Sequence, residues 1–265
     1  MAKGLLFSSA AFFARPLDQT FRLAAETGFS GIEVMVTKDP ASQDGRRMRQ
    51  LGDEYDMRIG AIHAPCLLLT RKVWGTDPVG KINRSIEVAQ EAGVPVVVVH
   101  PPYRWQMSYR RWLADRLTEL SSSTGVVVAV ENMFPLWIGE RGVSLHANQD
   151  LEELDEMPDI VLDTSHAAVA GHDLVQVRRR FGGRIRHVHL SDNAGRGWDS
   201  HLPPGDGVLD IDGFLDDLVT GGYDGEVSLE VDLRRYLTDD AKLRQVMVSM
   251  RQRCQNRLGA AASDT

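Results

Sequence analysis

Short apolar runs alternate with amphipathic stretches along the whole chain. The runs have the length of buried strands, whereas the stretches between them repeat apolar residues every three to four positions, as on one face of a helix. Several stretches end at glycine, which favours helix C-caps at Gly28, Gly93 and Gly125. The predicted strands are 4–10, 31–36, 59–64, 95–100, 126–132, 160–164, 185–192 and 226–232, and the clearest helices are 16–28, 80–93, 109–125 and 239–257.

This alternation predicts one α/β domain. Eight strand-then-helix units in 265 residues are typical of a (β/α)8 TIM barrel, here over residues 1–258 with the last helix closing the ring. Residues 259–265 are predicted to be a disordered tail. A doubly wound open sheet is the alternative, but no predicted strand is followed by the GxGxxG pattern of dinucleotide-binding sheets.

Composition narrows the setting and the partners. The formal net charge of −7 gives the protein no overall attraction to nucleic acid. The two cysteines, Cys66 and Cys254, lie far apart without CxxC spacing, which predicts a reduced, cytoplasmic protein without a disulfide framework. Every apolar run is too short to span a membrane, so no membrane partner is expected.

Metal-ligating residue types recur where the predicted strands end. In a TIM barrel these ends share one face, where chemistry takes place. Histidine at a strand end is commonly a structural residue, but "VVVAVEN", "IVLDT" and "VSLEV" each also set a carboxylate in an apolar strand. Buried carboxylates are usually paired or bound to metal, so the pattern predicts a metal site. The nine candidates are His63, His100, Glu131, Asp163, His166, His189, Asp199, His201 and Glu230.

The segment "HVHLSDN" (187–193) places two histidines on the same face of a strand. His189 lies at the strand end, whereas His187 lies one layer deeper and is predicted either to orient a ligand or to be a hydrogen-bonded core residue. Asp192 is interpreted as the start of a loop that carries Asp199 and His201. Glu33, on the second strand, is expected to make a structural hydrogen bond inside the barrel.

These motifs resemble those of the xylose isomerase-like TIM barrels, a family of sugar and sugar-phosphate isomerases and epimerases that also includes the endonuclease IV group. The resemblance covers nearly the whole chain. It rests on "GFSGIEV" (28–34), "HAP" (63–65), "HP" (100–101), "EN" (131–132), "LDTSH" (162–166), "HVHLSDN" (187–193), "HLPPGDG" (201–207) and "SLEV" (228–231).

Resemblance to the ketose epimerases implies one divalent metal, Mn, Mg, Co or Zn, that stabilises the enediolate left when a sugar loses its α proton. The implied ligands are Glu131, Asp163, His189 and Glu230. Glu131 and Glu230 would also act as base and acid, and His166 would contact substrate oxygens. These epimerases carry an arginine where this chain has His201, a departure that favours more than one metal.

Resemblance to endonuclease IV implies instead three zinc ions bound by all nine residues, and hydrolysis of abasic DNA. The acidic chain and the few basic residues near the strand ends argue against a DNA duplex. A sugar or sugar phosphate is therefore the favoured partner, with one to three metal ions, and barrels of this class suggest a homodimer. The predicted substrate contacts in the loops are Arg104, Arg141, Arg196 and Trp198.

Overall fold

The computed structural model describes residues 4–13, 15–66, 70 and 72–260. Eight parallel strands close into a barrel in the order β1-β10-β9-β8-β5-β4-β3-β2, which confirms the predicted fold. The strands are β1 (Gly4–Ser8), β2 (Gly31–Met35), β3 (Arg58–His63), β4 (Val96–Val99), β5 (Val127–Glu131), β6 (Leu136–Ile138), β7 (Arg141–Val143), β8 (Ile160–Asp163), β9 (Ile185–Leu190) and β10 (Glu226–Leu229). Strands β6 and β7 form a separate antiparallel hairpin.

Helices surround the barrel between its strands. They are α1 (Leu17–Glu26), α2 (Gly45–Tyr55), α3 (Pro78–Ala92), α4 (Met107–Thr124), α5 (Leu151–Leu154), α6 (Thr164–Val169), α7 (Leu174–Phe181), α8 (Ile211–Thr220) and α9 (Asp240–Ala260). Gly93 and Gly125 end α3 and α4 with φ of 73° and 69°, a left-handed conformation that glycine adopts without a steric cost. None of the helices in the described residues is long and apolar enough to cross a membrane.

Most strand and helix ends lie within a few residues of the sequence-based prediction, and three differences have a physical reason in the structure. β1 ends at Ser8, because the Ser8 hydroxyl accepts a hydrogen bond from the Ala10 amide (3.3 Å) and caps a 3-10 turn over Ser9–Phe12. The hairpin β6–β7 was not predicted, since its side chains face solvent and lack the apolar-in pattern of a core strand. The final helix extends to Ala260, and the rest of the predicted tail, 261–265, lies outside the described residues.

Apolar side chains fill part of the barrel interior below the carboxyl ends of its strands. Ala61, Val98 and Val161 belong to a buried cluster inside the strands. Leu6 packs against Gly31 and Gly60, where a Cβ atom would lie 2.6 and 2.5 Å from its methyl groups. The interior is therefore closed below, and polar side chains at the carboxyl ends of the strands face an opening at one end only.

Candidate metal centre

All nine predicted ligands come together at the carboxyl end of the barrel. His63, Glu131 and Asp163 are the last residues of their strands, and His189 is the last but one of β9. His100 and Glu230 immediately follow β4 and β10, His166 lies in α6, and a loop after β9 carries Asp199 and His201. We call these nine residues the ligand cluster.

Four of these residues surround one point. Glu131, Asp163, His189 and Glu230 each offer one ligand atom, and the four atoms lie within 4.8 Å of one another. The His189 Nδ1 atom is 2.7 Å from Glu230 Oε2, 3.0 Å from Glu131 Oε1 and 3.9 Å from Asp163 Oδ2. Three carboxylates and one imidazole form an oxygen-rich set that suits Mn²⁺, Mg²⁺, Co²⁺ or Zn²⁺.

Each carboxylate in this set keeps one oxygen without a hydrogen-bond partner among the described residues. The Oε2 atom of Glu131, the Oδ2 atom of Asp163 and the Oε2 atom of Glu230 are buried and accept no hydrogen bond from the described residues. Leaving a buried charged oxygen unsatisfied costs several kcal/mol, so such atoms normally coordinate an ion or a ligand. The arrangement therefore fits a divalent metal.

Two histidine pairs extend the cluster on either side. The Nε2 atoms of His63 and His100 lie 3.5 and 3.1 Å from Glu131 Oε2. On the other side, the Nε2 atoms of His166 and His201 lie 3.4 and 2.7 Å from Asp199 Oδ2. Each pair faces a carboxylate oxygen, so the nine residues divide into a centre and two flanking groups that could each hold an ion.

The charges in the cluster shift one another's protonation. Burial acts to lower the pKa of His189, but the carboxylates of Glu230, Glu33 and Glu131 outweigh burial and raise this pKa well above its ordinary value. For Glu131, burial acts to raise the pKa, yet the surrounding histidines hold it well below its usual range. Burial prevails at Asp163 and raises its pKa to about 6. Opposite charges therefore lie side by side among largely buried side chains.

Glu33 connects the cluster to the layer beneath it. Its carboxylate lies 3.0 Å from His189 Nε2 and 2.8 Å from His187 Nε2, and all three side chains have zero exposure. The expected hydrogen bond inside the barrel is therefore present, and His187 reaches the cluster through Glu33. Sequence reasoning missed the contact with His189; the only signal was a carboxylate in the apolar strand "GIEV".

Asp192 begins the loop after β9, as predicted, and both its backbone and its side chain hold that loop. Asp192 pairs with Leu202 through both backbone groups, at 2.7 and 2.8 Å. Its side chain accepts four backbone hydrogen bonds, from Asn193 (2.8 Å), Gly205 (3.0 Å), Gly207 (3.0 Å) and Leu209 (3.0 Å). A Cβ atom at Gly207 would lie 2.3 Å from the Asp192 carboxylate, so this close approach requires glycine.

The backbone of this loop is strained at His201. His201 has φ of 40°, a left-handed conformation that few residues other than glycine adopt. Its carbonyl accepts a hydrogen bond from the Asp232 amide (2.7 Å), and its Nδ1 lies 2.9 Å from the Glu230 carbonyl oxygen. These contacts hold the ring with Nε2 toward Asp199, a form of local strain that is frequent at functional sites.

A cavity of about 620 Å³ opens above the ligand cluster. Glu131, Glu230 and His166 line it, whereas Asp163 and His189 are not among its lining residues. The rest of the lining includes an apolar set of side chains: Phe12, Met35, Met133, Phe134 and Leu237. This volume and this mixture of an apolar wall with a few polar groups are typical of small-molecule sites.

The predicted substrate contacts Arg104, Arg141, Arg196 and Trp198 are not among the described residues that line this cavity. Arg104 is instead held by acidic residues at α5, with its Nη2 3.2 Å from Glu153 and 3.5 Å from Asp150. Arg141 is exposed in the hairpin, and Arg196 lies over the exposed ring of Trp198 at 5.9 Å.

The arginines that do line the cavity are Arg15 and Arg234. Arg234 forms an ion pair with Asp232 (2.5 Å), which also lines the cavity, and Arg15 lies 3.8 Å from Asp240.

Known proteins resemble this chain in sequence and in fold. The family described as xylose isomerase-like TIM barrel matches residues 21–253. An uncharacterised protein of Mycobacterium leprae is 35% identical over 84% of this chain and 87% of its own. A fructoselysine 3-epimerase of Shigella flexneri is 22% identical over 82% of this chain and 85% of its own. The crystal structure of a D-tagatose 3-epimerase-like protein superposes with a TM-score of 0.72 and 24% identity, covering 98% of this chain and 99% of the other.

Proposed function

Because the chain belongs to the xylose isomerase-like TIM barrel family, we propose that it is a divalent-metal-dependent isomerase or epimerase of a sugar or sugar phosphate. The observation that carries this proposal is that Glu131, Asp163 and Glu230 crowd His189 Nδ1 while each keeps one buried oxygen without a hydrogen-bond partner among the described residues. Glu131, Asp163, His189 and Glu230 would hold the metal. When bound, a divalent ion supplies electrophilic stabilisation of the negative charge that develops on a sugar carbonyl as the α proton leaves.

The chain itself supplies the groups that move the proton. Glu131 and Glu230 are the carboxylates of the central set that line the cavity, so a sugar bound there would contact both. They would act as base and acid on the carbon next to the carbonyl. His166 places its Nδ1 2.9 Å from the Asn132 carbonyl oxygen, which directs Nε2 toward Asp199 and the cavity. From this position Nε2 would contact a substrate oxygen.

The cavity also favours a sugar over a polymer. Its volume of about 620 Å³ suits one or two sugar rings, and its apolar wall would pack against the C–H face of a ring while excluding water. No lysine is among the described residues that line it. A duplex, in contrast, needs several cationic contacts to its phosphates.

Solvent exchange of the α proton tests this function without knowledge of the substrate. We expect the metal-loaded protein to incorporate deuterium from D₂O into at least one ketose, aldose or sugar phosphate of a broad panel, followed by NMR. Glu230→Gln should abolish the exchange. Glu226→Gln, the same substitution at the base of the barrel, should retain it. Absence of exchange across the panel, with metal shown to be bound, would contradict the proposal.

A zinc phosphodiesterase of the endonuclease IV type is the second candidate, because each histidine pair flanking the centre faces a carboxylate oxygen. This arrangement would support three ions and in-line attack on a phosphodiester. Two measurements separate the candidates: the metal count per chain by mass spectrometry, and nicking of an oligonucleotide with one abasic site. Three zinc ions together with nicking would favour the hydrolase, whereas a single ion without nicking would remove it.

A further inference from the structure

Glu33 stands apart from the ligand cluster, yet it contacts the only histidine at the centre of that cluster. It lies on β2, whereas His187 and His189 lie on β9, and β1 and β10 separate these two strands around the barrel. The Glu33 side chain therefore reaches across the interior. With zero exposure, it has no access to water.

The hydrogen-bonding capacity of a carboxylate fixes the roles in this contact. The Glu33 carboxylate lies between two histidines, one at each of its oxygens, and an ionised carboxylate only accepts hydrogen bonds. Both histidine Nε2 atoms, at 3.0 and 2.8 Å, must therefore donate. A neutral imidazole has one donor and one acceptor nitrogen, so donation from Nε2 leaves Nδ1 of His189 as the acceptor.

Without Glu33, His189 would have a competing arrangement. Its Nδ1 lies 3.0 Å from a Glu131 oxygen and 2.7 Å from a Glu230 oxygen, and a hydrogen on Nδ1 could be donated to either. That tautomer would occupy the nitrogen that faces the centre. Glu33 opposes it, because the alternative would leave a buried carboxylate oxygen without a donor.

We propose that Glu33 is a positioning residue of the metal centre, which holds His189 in the tautomer whose Nδ1 faces Glu131, Asp163 and Glu230. His187 anchors Glu33 by donating to its other oxygen, and the His187 Nδ1 has no hydrogen-bond partner among the described residues. This inference rests on the proposed function only in requiring that the centre binds a divalent metal; it is independent of the substrate.

Zinc affinity and histidine tautomers test the proposal directly. In Glu33→Gln, the side-chain amide donates on one side and accepts on the other, so it cannot accept from both histidines. We expect zinc affinity, measured by competition with a chromophoric chelator, to fall about 100-fold, and about tenfold in His187→Gln, the range found for residues that support a metal ligand. Long-range ¹H–¹⁵N NMR of ¹⁵N-histidine-labelled, metal-free protein, at a pH high enough for the His189 ring to be neutral, should show its hydrogen on Nε2 in the wild type and on Nδ1 in Glu33→Gln.

Glu226→Gln is the matched control, since Glu226 is a buried carboxylate inside the same barrel without a contact to His189; its zinc affinity should be unchanged. Lower thermal stability of Glu33→Gln with unchanged zinc affinity and an unchanged tautomer would overturn the proposal. If Glu33→Gln does not fold, unchanged affinity in His187→Gln overturns it. Failure of the wild type to bind zinc would refute the metal centre itself, an outcome distinct from equal binding by wild type and variant.

Discussion

The two ends of the barrel interior both contain buried carboxylates, but the charge of these carboxylates is balanced differently at each end. At the base, Arg58 opens β3 and Glu226 opens β10, and their side chains form a direct ion pair. Glycines make room for it: a Cβ atom at Gly4 would lie 2.2 Å from Arg58 Nη2, and one at Gly31 would lie 3.1 Å from Arg58 Cγ. At the mouth, no described lysine or arginine pairs with Glu131, Asp163 or Glu230, and only histidines face them.

The contrast distinguishes a carboxylate whose charge is balanced within the fold from carboxylates whose charge would be balanced by a bound cation. A buried carboxylate that pairs with a cation from the same chain has its charge compensated once the chain has folded. The carboxylates around His189 have no such cation among the described residues, and we expect a bound metal ion to compensate their charge. Substitutions at the two ends should therefore act in opposite ways on stability and on metal binding.

The largest effect is expected from Asp163→Asn. At a free Zn²⁺ concentration of about 1,000 times Kd, metal stabilises the wild type by about 4 kcal/mol. Differential scanning calorimetry should register this as an increase in Tm of roughly 10 °C. Asp163→Asn should lose the increase and, without metal, melt at or above the wild-type temperature, because a buried charge has been removed. A metal-free variant that melts well below the wild type would show that Asp163 serves the fold.

A smaller effect is expected from Asp192→Asn, which tests the loop side of the mouth. The substitution replaces one of two accepting oxygens by a donor and removes the charge, which should lower the free energy of unfolding by about 2–3 kcal/mol. Metal bound at Asp199 and His201 should be lost first, leaving the central ion in place, as measured by the metal count per chain.

Asp206→Asn, an exposed residue of the same loop paired with Arg235, is the control and should match the wild type within about 0.5 kcal/mol. Equal metal counts in Asp192→Asn and the wild type would separate Asp192 from the metal ligands.

The smallest effect is expected at the base. Arg58→Met should lower the free energy of unfolding in urea by about 2 kcal/mol, less than the ~3–5 kcal/mol typical of a fully buried pair, because the Arg58 side chain is 38% exposed. Zinc affinity should not change. The double variant Arg58→Met/Glu226→Gln should recover part of the loss, since no uncompensated charge remains; a decrease in zinc affinity in either variant would remove the distinction between the two ends.

Local sequence patterns were enough to predict the barrel and the position of the ligand cluster. Strand–helix alternation and glycine C-caps specify the repeating unit, and the parallel closure brings every strand end to one face. The proximity of His63 and Glu230 could therefore be predicted without knowledge of the side chains around them. The hairpin β6–β7 could not be found in this way, because its exposed Leu136 and Ile138 do not follow the burial pattern of a core strand.

Contacts that depend on distant side chains were not predictable. Arg104 follows a strand at the correct end, but acidic residues at α5 draw its guanidinium away from the cavity. Arg15 and Arg234 carried no signal of their position in the wall. Glu33 was recognised as buried, but its contact with His189 depends on a strand three positions away around the barrel. The homodimer and the cytoplasmic location stay predictions from the sequence.

The attachment of the loop at Asp192 has a consequence for how such barrels diversify. The four central candidates belong to strands or their immediate ends, whereas Asp199 and His201 belong to a loop that Asp192 closes and that hydrogen bonds from Ser165 and Asp232 also hold. A replacement confined to residues 193–209 therefore adds or removes two ligands without altering a single strand. Exchange of this loop during evolution would therefore change the number of candidate metal ligands while the strands of the barrel stay the same.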